Sequence, residues 1–159
     1  MAYSTYEPVT GTIMSLSDGN DCCSQMMAVY TGNGIVNFMI GPQTKIIDNR
    51  QLRRGMQVTA FYDNTLPVPL IFPPQYQAQL IAVLDGNEQV MLNFFNQNLT
   101  AQDDSLQLNI ARSTTIETIN GQRVTCRLGN QTLLVYYTVT TRSIPPRTTP
   151  LKVIVMCEE

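Results

Sequence analysis

One order of residues occurs twice in this chain of 159, and it constrains the fold more than any single motif does. The run Val36-Asn37-Phe38-Met39-Ile40-Gly41-Pro42-Gln43-Thr44-Lys45-Ile46 lies against Leu106-Gln107-Leu108-Asn109-Ile110-Ala111-Arg112-Ser113-Thr114-Thr115-Ile116. Apolar residues coincide at Val36/Leu106, Phe38/Leu108, Ile40/Ile110 and Ile46/Ile116, and Thr44 meets Thr114. Further on, Phe61-Tyr62 matches Tyr136-Tyr137, Pro73-Pro74 matches Pro145-Pro146, and Ile81-Ala82-Val83 matches Val153-Ile154-Val155. Asp18-Gly19-Asn20 and Asp85-Gly86-Asn87 each follow an apolar run. Order kept over so many landmarks predicts an internal duplication. The expected units are residues 1–78 and 79–159, meeting in a strand near 79–84 that both use.

Each unit alternates with period two. Val36, Phe38 and Ile40 point one way, Asn37 and Met39 the other; Leu133, Val135, Tyr137 and Val139 do the same against Leu134, Tyr136 and Thr138. Such alternation, rich in β-branched and aromatic residues, predicts strands. Nine prolines and nine glycines punctuate the chain and argue against long helices. The first unit is expected to hold strands near 8–17, 24–31, 35–41, 56–63 and 78–84, with a helical turn over 49–54 ended by Gly55. The second is expected to hold strands near 79–84, 88–96, 105–111, 132–140 and 150–157, with an extra strand over 122–128. The two Asp-Gly-Asn tripeptides suit tight hairpins. Five short strands in so small a unit predict a closed barrel of the OB type, which leaves no sheet edge. The fold class is therefore all-β: two tandem OB-like small barrels related by duplication.

Composition narrows function. Charged residues make up 14% of the chain, against about 25% in an average protein. Ten basic and twelve acidic residues argue against a phosphate-tracking groove and hence against nucleic acid as the main partner. No apolar run has the length of a membrane span, and the start, MAYSTYEPVTG, lacks a signal-peptide pattern, so a chain complete as written is expected in the cytoplasm. Cys22, Cys23, Cys126 and Cys157 show no CxxC spacing and are expected as reduced, half-buried thiols. The chain has no histidine, which removes the commonest general base and metal ligand together. Neither GxGxxG nor GxxxxGK[ST] occurs. No enzyme activity, cofactor or metal is expected.

The succession Thr44, Ile46, Leu52, Gly55, Val58, Tyr62, Pro74, Gln75 and Ala78 resembles that of small OB-like domains of unknown function from Gram-positive bacteria. The match covers about half the chain, and the second unit follows it loosely. The resemblance implies a bacterial source and an OB-like fold. Domains of that kind are often exported, a departure from the start of this chain.

The most distinctive candidate site is the segment Leu66-Pro67-Val68-Pro69-Leu70-Ile71-Phe72-Pro73-Pro74-Gln75-Tyr76. Prolines fix φ and remove donors, so it is stiff and extended. It reads either as a crossover packed on its own barrel or as a preorganised surface that presents Leu70, Ile71, Phe72 and Tyr76 to a protein partner. In the pairs Phe61-Tyr62 and Tyr136-Tyr137 one ring is expected inside and one outside, so Tyr62 joins the candidate contact set. Lys45, Arg50, Arg53 and Arg54 form the one basic cluster, where Arg50 and Arg53 on one helical face could clamp an anion. The turns at Asp18–Asp21 and Asp85–Glu88 carry oxygen ligands but fewer than calcium wants. The expected function is a non-catalytic binding or scaffolding module acting through the proline loop. Two alternatives stand beside it: an OB-type binder of single-stranded nucleic acid or oligosaccharide, and a loop-presenting protease inhibitor.

Overall fold

The computed structural model describes residues 3–157. They form thirteen strands and one 3-10 turn, with no α-helix among the described residues. The chain clusters into two compact units, Thr5–Asp85 and residues 86–157 together with 3 and 4. Every strand of the matched pattern up to residue 84 belongs to the first.

The first unit is one seven-stranded mixed sheet. Its strands are β1 (Tyr6–Asp18), β2 (Gln25–Tyr30), β3 (Ile35–Ile40), β4 (Lys45–Ile46), β5 (Gln57–Asp63), β6 (Gln75–Gln77) and β7 (Leu80–Leu84), in the spatial order β4-β7-β5-β1-β2-β3-β6. β1 serves two neighbours: Tyr6–Thr12 pair with β5 and Thr12–Asp18 with β2. A bulge between Ile13 and Ser15 bends it where it changes partner. Gly11 lies just before that bulge, where a Cβ would come 2.2 Å from the Tyr30 carbonyl oxygen. Sheet curvature brings the alternate residues Met27, Val29, Phe38, Ile40, Val58, Ala60, Ile81 and Val83 into one core. At 25 cal/mol per Å² of apolar surface, burial of such side chains is worth about 1.5–3 kcal/mol each.

The second unit has a four-stranded sheet ordered β10-β13-β11-β8, made of β8 (Gln89–Phe95), β10 (Thr115–Thr118), β11 (Gln131–Tyr137) and β13 (Lys152–Val155). A separate parallel pair joins β9 (Gln107–Leu108) to β12 (Arg147–Thr148). Phe95, Leu106, Leu108, Leu133, Val135, Val153 and Val155 form its core.

The two units repeat each other's hydrogen bonds at the matched positions. Thr44 Oγ1 accepts the Gly41 N–H at 3.1 Å and donates to Ala78 O at 2.8 Å; Thr114 Oγ1 accepts the Ala111 N–H at 3.3 Å and donates to Pro150 O at 2.8 Å. Asn37 N–H donates to Pro74 O, and Gln107 N–H to Pro146 O. Gln79 N–H donates to Phe61 O, and Leu151 N–H to Tyr136 O. β4 runs parallel to β7 as β10 does to β13, with Ile46↔Ile81 answering Ile116↔Val153. The bonds Phe72–Pro73 and Ile144–Pro145 are both cis.

Several expectations are corrected. Neither strand ladder closes into a barrel. The segment that would close the first is broken: Ala78 N–H still donates to Met39 O beside β3, but Gln79 N–H turns to Phe61 O beside β5. The helical turn over 49–54 is instead a 3-10 turn at Ile47–Asn49, pinned by buried Ile47, with Asp48 at φ 61° and Arg50 extended. Residues 122–128 form no strand; Arg123 makes a single bridge to Glu117. The strand expected over 105–111 shrinks to Gln107–Leu108, and β11 stops at Tyr137, leaving Val139 exposed rather than core-facing. Asp85–Glu88 is not a hairpin turn, since β7 and β8 do not pair, and the first tripeptide opens a longer loop closed by Gly19 N–H to Ser24 O. All four cysteines are free and exposed, not half-buried.

Candidate functional site

β5 ends in Phe61-Tyr62-Asp63, and the chain turns there because Asp63 Oδ1 accepts three hydrogen bonds. They come from the Thr65 N–H at 3.0 Å, the Thr65 hydroxyl at 2.7 Å and the Thr5 hydroxyl at 2.8 Å. The Thr65 backbone bond, then the hydroxyls, hold the Asp63 carboxyl below its ordinary range. From this anchored turn the proline segment leaves the sheet and returns as β6, where Tyr76 pairs with Phe38 across the parallel ladder. No charged residue lies between Asp63 and Asp85.

The loop divides its apolar residues cleanly. Leu70 is 101% exposed and Phe72 93%, with Ile71, Leu66 and Val68 about half exposed. Val68, Leu70, Ile71, Phe72, Pro74 and Tyr76 line an open groove of about 420 Å³. Tyr76 is half-buried. Its ring stacks on Tyr62, with centroids 3.9 Å apart and planes 12° apart, and tilts against Phe38 at 6.0 Å. This corrects the expectation of one inward and one outward ring. Phe61 is buried, and Tyr62 is covered by Tyr76 at the edge of the core. Burial first, then the Tyr76 phenol and finally Glu7, push the Tyr62 hydroxyl above its ordinary pKa. In the second pair Tyr136 is buried and Tyr137 half-buried, and burial likewise raises the Tyr137 hydroxyl.

The candidate contact residues therefore fall into two sets. Leu70, Ile71 and Phe72 stand out from the unit that carries them, whereas Tyr62 and Tyr76 form the buttress beneath. The basic cluster is not assembled as expected. Without a helical turn Arg50 and Arg53 share no face, and Arg50 Nη1 pairs with Asp85 Oδ2 at 3.3 Å. Arg53 and Arg54 are exposed on the Gly55 turn. No grouping of three metal-ligating side chains occurs among the described residues. Among them, no helix is long and apolar enough to cross a membrane.

Sequence reasoning overlooked the corresponding loop of the second unit. Ile144 precedes Pro145 as Phe72 precedes Pro73, and it is 99% exposed. The Pro-Pro match was a legible signal for it. Comparison with known proteins finds no matching family model, no matching curated protein and no matching solved structure.

Proposed function

We propose that this chain is a non-catalytic binding module, built as one OB-type strand plan written twice, which engages a protein partner through Leu70, Ile71 and Phe72. The duplication reading is supported by hydrogen bonds that recur at matched positions around Thr44 and Thr114. The OB reading is supported by the way residues 75–84 bond first to β3 and then to β5, as in a partly open five-stranded barrel.

One observation carries the partner reading: a charge-free, proline-fixed loop holds Leu70 and Phe72 almost wholly in water. A large apolar side chain left in water gains about 1.5–3 kcal/mol when a partner covers it. A loop already rigid loses little entropy on docking. The stacked Tyr62–Tyr76 pair keeps the loop's return strand in place beneath these residues.

The test is a Leu70→Ser/Phe72→Ser double variant in affinity capture from the source cell. The wild-type chain retains a specific protein that the double variant loses, and capture persists from about 0.05 to 0.5 M salt, because salt screens charges and the docking residues carry none. If the variant retains every partner and the same oligomeric state, the proposal is wrong. Capture of nucleic acid with a steep salt dependence would favour the OB-type polymer reading instead.

A further inference from the structure

The second unit carries a pocket where the first carries its tyrosine stack, and its chemistry is different. It is open, about 580 Å³ in volume, and lies between β9, β12 and the segment after β11. That volume falls within the roughly 300–1,000 Å³ of small-molecule sites. Its place corresponds to that of Tyr76 in the first unit. Asn37↔Gln75 and Phe38↔Tyr76 in one unit answer Gln107↔Arg147 and Leu108↔Thr148 in the other. Arg147 therefore stands where the first unit has Gln75, so the strand plan does not require a charge there.

Arg147 is held at both ends. Its backbone N–H donates to Thr141 Oγ1 at 3.0 Å, and Thr141 N–H donates to Arg147 O at 2.9 Å, closing the loop 141–147. Ser143 Oγ spends its proton on Pro145 O, so in the 2.6 Å contact between the two hydroxyls Thr141 is the donor. The side chain is fixed separately: Arg147 Nε donates to Gln107 Oε1 at 2.9 Å. Its two terminal amino groups then have no acceptor among the described residues, and no carboxylate there pairs with it. Asn109 Nδ2 donates to Thr149 Oγ1 at 3.1 Å, which leaves the Thr149 proton free to donate. Arg147 is the one charged group among the lining residues.

We propose that this pocket binds a small hydroxylated monocarboxylate, a sugar acid being the class that fits. A guanidinium fork oriented by Gln107 suits a two-oxygen anion. A single cation balances one negative charge, whereas a phosphate dianion would leave a charge unmatched. Thr149, Asn109 and the Gln107 amide offer hydrogen bonds to hydroxyls, and the exposed Val139 supplies an apolar wall. This site is independent of the Leu70–Phe72 loop.

The experiment is an NMR titration of the whole chain, following the Arg147 Nε–H and nearby amides, with glucuronate, glucose and butyrate as probes. Glucuronate should shift these signals saturably, glucose should not, and butyrate should bind more weakly. Arg147→Gln, which installs the residue of the first unit, should weaken glucuronate by at least about tenfold while leaving the melting curve in place. Thr149→Val should weaken it by a smaller factor and serves as the second variant should Arg147→Gln fail to fold. Absence of saturable glucuronate binding overturns the proposal. So does equal binding by Arg147→Gln, or butyrate binding as tightly as glucuronate.

Discussion

Thr44 and Thr114 show how much one side chain can hold. Each hydroxyl closes a turn by accepting a backbone N–H and ties that turn to a carbonyl 34 or 36 residues ahead. Valine has the same shape without either bond, and it would strand both backbone groups. Thr44→Val and Thr114→Val should each lower stability by about 1–2 kcal/mol in urea unfolding. An unchanged midpoint in either would show that water replaces the bridge. The coincidence of two threonines was legible in the sequence. Their purpose was not, because the acceptor lies far along the chain and comes near only when β4 docks on β7 and β10 on β13.

At the scale of elements, the proline loop and the strand it returns to behave oppositely. Leu70 and Phe72 give nothing to their own core, so Phe72→Ser should change stability by less than about 0.5 kcal/mol. Tyr76 is stacked on Tyr62 and leans on Phe38, so Tyr76→Ala should cost about 1–3 kcal/mol. Denaturant midpoints of the two variants check this, and a loss from Phe72→Ser as large as that from Tyr76→Ala would place the loop in the core. The sequence shows a stiff apolar segment here. It does not show which of its residues face water, because prolines abolish the period-two pattern from which strand faces are read. The misplaced helical turn has a different cause: Asp48 and Asn49 adopt positive φ, and Arg50 after them is extended.

For the molecule as a whole, the acid limit is set in part by one carboxylate in each unit. Asp63 is lowered by Thr65 and Thr5, and Asp103 by the Ser105 hydroxyl first, with burial opposing and the Ser105 N–H and Asn93 amide adding to it. Both titrate below their unfolded value near 3.8, so the unfolded chain binds these protons first. Their contribution is complete above that pH and is lost as pH falls through the lower folded values. Urea midpoints measured from neutral pH down to about pH 2 should fall more gently for an Asp63→Asn/Asp103→Asn double variant than for the parent. Parallel profiles would remove these two groups from the acid transition.

The chain alone determined that the fold is all-β and that similar landmarks recur along it. Alternation, proline and glycine act within a few residues of where they stand, and they can be read there. Only the folded structure decided which strands pair, where a ladder breaks and which rings cover each other. Arg147 meets Gln107 through parallel β-pairing whose partners lie 40 residues apart, and Tyr62 meets Tyr76 although β5 and β6 do not pair. Such contacts arise when a curved sheet brings distant segments to one edge, and nothing local in the sequence encodes that approach.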